Sequence, residues 1–174
     1  VRFLDASRLP LAMSIFLVFP VFHVAAVALA ARQKADGDAD PLFGQTATLS
    51  ALLPVIFAVY MAGIPAYGTQ YLLLFGFLFL VTLGLSVVAI AHGPQRLYVL
   101  GGLSTVVAFA IWFALSYRSA AWPGVLGVVG AFVLLHAGVP LVARRLGRPV
   151  VDEELAAVVA PALLFAFPVL VAIE

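Results

Sequence analysis

The 174-residue sequence contains no cysteine. This absence excludes disulfide bonds, thiolate metal sites, iron–sulfur clusters and cysteine nucleophiles. Charged residues are also scarce, at 10% of the chain, whereas they make up roughly a quarter of a soluble domain. Nine Lys and Arg residues oppose eight Asp and Glu residues, for a formal net charge of +1. A chain with so little positive charge lacks the basic surface that binds nucleic acid.

Apolar residues account for 65% of the sequence. A single buried core cannot contain them all, because a soluble domain of this size keeps a largely polar, wetted surface. The excess predicts that much of the surface faces lipid. The composition therefore indicates an integral membrane protein, with the lipid bilayer as its first partner.

Six stretches have the length of about 20 residues that a helix needs to cross a bilayer, and only Glu174 brings a charge into them. The alternation typical of a transmembrane β-barrel is absent. The sequence thus predicts an all-α, polytopic transmembrane bundle of about six spans, forming a single domain over residues 1–174. The predicted spans are residues 9–31, 45–66, 71–91, 97–117, 123–143 and 155–174.

The ends of the sequence allow two interpretations. It begins with Val1 and stops at Glu174, directly after an apolar run. Either the chain is a fragment of a longer protein, or it is complete with a non-standard start.

Lysine and arginine are unevenly distributed between the predicted loops. The first, third and fifth loops hold six, whereas the N-terminal segment and the even-numbered loops hold three. Because positive residues favour the cytoplasmic side, we expect the odd-numbered loops in the cytoplasm. Arg144, Arg145 and Arg148 in the fifth loop either set this orientation or contact anionic lipid.

Histidine supplies the candidate ligands inside the predicted spans. His23 and His136 each lie about three residues past the midpoint of an odd-numbered span, so we expect them at similar depth. A neutral imidazole can bind a haem iron, another metal, a pigment magnesium or a quinone head group. The alternative is that each histidine bonds to a helix carbonyl or to a neighbouring helix. His92, at the end of the third span, is a weaker candidate.

Prolines interrupt several predicted spans. Pro54 lies near the middle of the second span with Ser50 and Tyr60 nearby, as in the broken helices that bind substrates in transporters. A simple packing kink is the alternative interpretation. The other prolines within spans are Pro20, Pro65, Pro140, Pro161 and Pro168.

Small residues indicate helix contacts in the fifth predicted span, at Gly124, Gly127, Gly130 and Ala131. The spacing of Gly127 and Ala131 allows the close backbone approach of a small-xxx-small pair. This pattern predicts packing within the chain or against another subunit. A looser signal of the same kind occurs in the fourth span, at Gly101, Gly102, Ser104 and Thr105.

The third and fourth spans carry a resemblance to known proteins. It lies in the apolar stretch from Leu74 to Ala91, the turn HGPQR at residues 92–96, and the following stretch through Ile111, Trp112 and Phe113. Together, residues 74–117 resemble a repeated helical hairpin in a family of large polytopic bacterial membrane proteins classed as a domain of unknown function. Members of that family often have a tryptophan after the basic turn, where this chain has Leu97 and Tyr98. The resemblance implies a longer parent chain and a bacterial source. We expect the protein in the bacterial inner membrane.

No catalytic arrangement is recognisable, because the acidic residues lie in loops or at the chain ends and no phosphate-binding loop or H-E-x-x-H motif occurs. We therefore expect a protein that is not an enzyme: a structural or accessory subunit, or a fragment, of a larger membrane assembly. Its partners would be other membrane subunits or further copies of the chain. Two alternatives remain. One is a transporter or channel-like bundle that uses proline-broken helices, and the other is a haem, pigment or quinone binder through His23 and His136.

Overall fold

The computed structural model describes residues 10–16, 53–92 and 96–148, together with residues 8, 18, 162 and 166. Of residues 91, 92, 96 and 97 it describes the backbone alone. Across these ranges the regular structure is helical and contains no β-strand. The all-α prediction is therefore confirmed for the described part of the chain.

Three of the described helices are long. Tyr71–His92 (α4), Arg96–Ser116 (α5) and Trp122–Arg145 (α6) each have the length and apolar composition needed to cross a membrane. They lie at the positions predicted for the third, fourth and fifth spans, and the predicted total of about six is not established. The shorter helices are residues 10–16 (α1), Leu53–Ala62 (α2) and Pro65–Gly68 (α3), and a 3₁₀ turn, Ser119–Ala121, connects α5 to α6.

The predicted second and third spans leave only residues 67–70 between them, but the connection between α2 and α4 is longer. The reason is that α2 ends at Ala62 rather than at the predicted boundary, Ala66. Pro65 has no amide hydrogen to continue the helix, and it disfavours helical geometry in the preceding residue. Ile64 is accordingly extended, with φ −106° and ψ 110°. Proline then occupies the first turn of α3, where a missing amide hydrogen is tolerated.

The helix α4 occupies the centre of the described structure, since it contacts both α5 and α6. Side chains spaced three or four residues apart are buried on one side of it, namely Leu74, Leu78, Val81 and Leu85. The opposite side exposes Leu72, Leu80, Leu83 and Val87. A long helix with leucine on its exposed side is typical of a surface that meets lipid.

Aromatic rings fill the space between the three long helices. Phe75 of α4 lies with its ring centroid 5.4 Å from Trp112 and 5.6 Å from Phe109, both on α5. The ring of Phe132 on α6 is 5.5 Å from that of Phe79 on α4. Each aromatic pair adds about 0.5–1.5 kcal/mol beyond the burial of its surface, so this cluster fixes the register of α4, α5 and α6.

The helix α6 ends in a Schellman turn. The amide of Arg148 donates to the Ala143 carbonyl at 3.0 Å, and that of Gly147 donates to the Arg144 carbonyl at 3.0 Å. Gly147 adopts a φ of +67°, the left-handed geometry that this turn requires and that glycine adopts without strain. The turn therefore ends α6 at Arg145 and satisfies carbonyls at its last turn.

The short helix α3 is attached to α5 at Gly68. The indole Nε1 of Trp112 donates to the Gly68 carbonyl at 2.9 Å. A Cβ atom at Gly68 would overlap both the Oγ and the Cβ of Ser116, and rotation of the Ser116 hydroxyl cannot remove the second overlap. This position therefore depends on the absence of a side chain.

We predict that Gly68→Ala lowers the free energy of unfolding by about 1–3 kcal/mol, as overpacking in a filled interior does. Gly76→Ala is the matched control, because a Cβ at Gly76 meets nothing within 4 Å, and it should leave stability unchanged or raise it by up to about 1 kcal/mol. Thermal unfolding in detergent measures both variants. Equal melting temperatures of the Gly68→Ala and Gly76→Ala variants would contradict the proposed close packing of α3 on α5.

Candidate functional site

Buried polar side chains form a layer near the middle of the long helices. Thr82 and Ser86 on α4, Thr105 on α5 and His136 on α6 are each at most 1% exposed. The helices α4 and α6 run in the same direction, since Tyr71 adjoins Gly124 near their starts and Ile90 adjoins Arg148 near their ends. Thr82 and His136 each follow the Phe79–Phe132 contact by about one turn, so they lie at the same depth.

The hydroxyl groups of this layer are bonded inside the protein. Ser86 donates to the Thr82 carbonyl at 2.8 Å and Thr105 to the Gly101 carbonyl at 2.9 Å. The hydroxyl oxygens of Thr82 and Thr105 lie 3.5 Å apart across the interface between α4 and α5. Gly101 permits this approach, because a Cβ there would lie only 3.2 Å from the Thr82 methyl group. The Thr82–Thr105 contact thus joins α4 to α5, whereas the other two bonds stay within one helix. Together they leave little capacity for an outside ligand.

Pro140 interrupts the hydrogen bonding of α6, and Tyr98 compensates for the interruption. In a helix, the amide of residue 140 would donate to the carbonyl of His136, but proline has no amide hydrogen. The Tyr98 hydroxyl, from α5, donates to that same carbonyl at 2.8 Å. The carbonyl that Pro140 leaves open is thus occupied by the protein itself, in a region where both side chains are buried.

The imidazole of His136 lies beside this bond. Its ring centroid is 6.0 Å from that of Tyr98 and 6.4 Å from that of Phe132. Its Nε2 atom is buried and makes no hydrogen bond within the described residues. An unpartnered buried nitrogen costs free energy unless a further group binds it, so Nε2 is the atom of this layer with capacity left for a partner.

The other predicted ligands do not add to this layer in the described structure. His23, Ser50 and Pro20 lie outside the described residues. Of the predicted C-terminal span, only residues 162 and 166 are described. His92 ends α4 and is described by its backbone alone. Across residues 10–16, 53–92 and 96–148, no group of three or more metal-ligating side chains comes together.

The predicted proline site on α2 is divided between two environments. Pro54 is helical and buried, whereas Tyr60 is 61% exposed. The two residues therefore do not line one interior site.

The small residues of α6 fall on different sides of the helix. Gly124 packs against the Tyr71 hydroxyl, with no room for a Cβ. Gly127 and Gly130 have nothing within 4 Å of a Cβ position, and they lie away from the buried row that includes Val125, Val129 and Phe132. Ala131 is half-buried. Of these three glycines, only Gly124 thus shows a close contact to another described helix.

Sequence reasoning overlooked Tyr98 as part of the site. The sequence does contain a signal for it. A proline within a helix leaves open the carbonyl four residues earlier, and a buried tyrosine hydroxyl needs an acceptor. The sequence does not say which helix supplies the donor, because that depends on the antiparallel register of α5 and α6.

No family model, curated protein or solved structure matches the chain. The resemblance of residues 74–117 to a family of bacterial membrane proteins therefore stays a prediction.

We predict that Tyr98→Phe destabilises the protein by about 1–3 kcal/mol, the cost of leaving a buried carbonyl without a donor. In a Pro140→Ala background the same substitution should cost much less, because the new amide can donate to the His136 carbonyl. Thermal or denaturant unfolding of the four proteins gives the coupling energy of this double-mutant cycle. Additive effects would show that Tyr98 does not compensate for Pro140.

Proposed function

We propose that the chain is an integral membrane protein that acts as a non-catalytic, accessory subunit of a larger assembly. The observation that carries the proposal is the outer side of α6, which bears glycines with no atom within 4 Å of a Cβ position. Gly127 and Gly130 each have open space around a Cβ position. On the same side Leu134 is 75% exposed, the highest value among the exposed large apolar side chains of the described residues.

Small residues contribute more to helix association in a lipid bilayer than in water. Lipid tails are as apolar as leucine, so helices associate in a bilayer through close packing rather than through burial of apolar surface. Glycine allows two helix backbones to approach closely, and a projecting leucine can fill the space beside it. The outer side of α6 therefore supports contact with a helix of another subunit or of a second copy.

The interior of the described structure gives less support to a transporter or channel. The hydroxyl groups of the polar layer are bonded within the protein, and the carbonyl freed by Pro140 accepts from Tyr98. Broken transporter helices instead leave such groups to bind an ion or a substrate.

One observation favours a second candidate function. The unpartnered Nε2 of His136 is the kind of atom that binds a haem iron, a pigment magnesium or a quinone. With His136 only 1% exposed, a planar cofactor would have to displace Phe132 or Tyr98 to reach it. This candidate, with His23 as the second ligand, therefore ranks below the accessory subunit.

The proposed location is the bacterial inner membrane with the odd-numbered loops in the cytoplasm. The uneven distribution of lysine and arginine supports this orientation. The Arg148 guanidinium lies 3.5 Å from the Ile90 carbonyl, so the ends of α4 and α6 that lead into the third and fifth loops are on one side. Both loops would then face the same compartment.

Site-specific crosslinking tests the proposed contact, and the natural absence of cysteine makes every introduced thiol unique. We predict that Leu134→Cys, treated in native membranes with a short bifunctional maleimide or an oxidant, yields a product larger than the monomer. The reaction should be strongest there because Leu134 projects beside the open glycine positions.

The matched control is Leu80→Cys, which lies on the exposed side of α4 and is 51% exposed. It occupies a similar depth, since it directly follows Phe79, the contact of Phe132. Crosslinking at both positions alike, or at neither, would contradict the assignment of the outer side of α6 as a subunit contact.

A further inference from the structure

Three arginines lie within five residues at the end of α6. Arg144 and Arg145 occupy its last turn, and Arg148 follows the Schellman turn. All three side chains are exposed. They are the densest group of positive charge among the described residues, and they lie at the end of a helix that is long enough to cross a membrane.

Backbone amides already satisfy the carbonyls at this helix end. Those of Val142, Ala143 and Arg144 accept from the amides of Leu146, Arg148 and Gly147, each at 3.0 Å. The last carbonyls of α6 therefore need no side-chain donor. Arg148 is drawn toward α4 by its contact with the Ile90 carbonyl, which places its positive charge between the ends of α4 and α6.

Exposed apolar side chains lie directly beside the arginines. Leu141 is 62% exposed, Val142 is 51% exposed and Leu146 is 62% exposed. Gly138, one turn before Val142, leaves open space beside them. The surface thus changes from apolar to strongly positive within about two helical turns, or about 11 Å along the axis.

We propose that this end of α6 binds an anionic phospholipid. The phosphate group contacts Arg145, which can offer paired N–H donors, and lies beside the positive charge of Arg144. An acyl chain lies along Leu141 and Leu146 toward the space beside Gly138. An acidic protein surface would match the charge alone, whereas a phospholipid matches both the charge and the exposed leucines next to it.

Native mass spectrometry tests this lipid site on the full chain. The protein is reconstituted in nanodiscs of equal phosphatidylglycerol and phosphatidylcholine, and the lipids that remain bound after release are identified. We expect preferential retention of phosphatidylglycerol. The double variant Arg144→Gln/Arg145→Gln should lose that preference by about tenfold or more, since each interfacial arginine contributes roughly fivefold.

The matched control is Arg118→Gln, an exposed arginine at the other end of α6 just before the 3₁₀ turn. It should keep the preference of the parent protein. If the double variant loses helix content by circular dichroism, the single variant Arg145→Gln replaces it, with about a fivefold expected loss.

Three results would overturn the lipid site. Equal retention of both lipids by the parent protein would show that the patch is neutralised, for example by Asp152, Glu153 and Glu154, which follow it in the sequence. An equal loss in Arg118→Gln would show a general effect of charge. Saturable binding of inorganic phosphate without lipid preference would identify a free anion as the ligand. None of these results bears on the subunit contact of α6, which the crosslinking experiment tests separately.

Discussion

The described structure depends on one constraint, namely that polar groups within long apolar helices must find their partners inside the protein. If α4, α5 and α6 lie in a bilayer, lipid tails offer neither donors nor acceptors, and each unsatisfied group costs several kcal/mol. The Tyr98 hydroxyl donates to the His136 carbonyl, which would otherwise lack a donor because Pro140 has no amide hydrogen. The indole of Trp112 likewise bonds the Gly68 carbonyl between α3 and α5.

The same constraint distinguishes polar groups that are bonded within the protein from polar groups that can still bind a ligand. Thr105 and Ser86 donate their hydroxyl hydrogens to carbonyls of their own helices, so these hydrogens are not available to a ligand. The Nε2 atom of His136 is a buried exception within the described residues. The function we propose therefore rests on the outside of α6, where glycines are open and leucine projects, and only secondarily on the interior.

The long helices could be predicted from the sequence because their signal is local: an uninterrupted apolar run of sufficient length, with charges only at its ends. The break before Pro65 was also local, yet the predicted span ran through it because apolar content alone ignores the missing amide hydrogen. The polar layer around His136 could not be predicted in this way, because it depends on contacts between helices. That Tyr98 meets the His136 carbonyl depends on the register between α5 and α6, which aromatic packing across three helices sets and which no single segment of sequence contains.

The central claim is that the long helices cross a membrane, and labelling of single cysteines at the two ends of α6 tests it most directly. Ser119 and Leu146 are exposed and bracket this helix, and the chain has no other thiol. In sealed vesicles, a membrane-impermeant maleimide should label Ser119→Cys and Leu146→Cys from opposite sides, with the second site reacting only after permeabilisation. Labelling of both from the same side, without permeabilisation, would contradict the account.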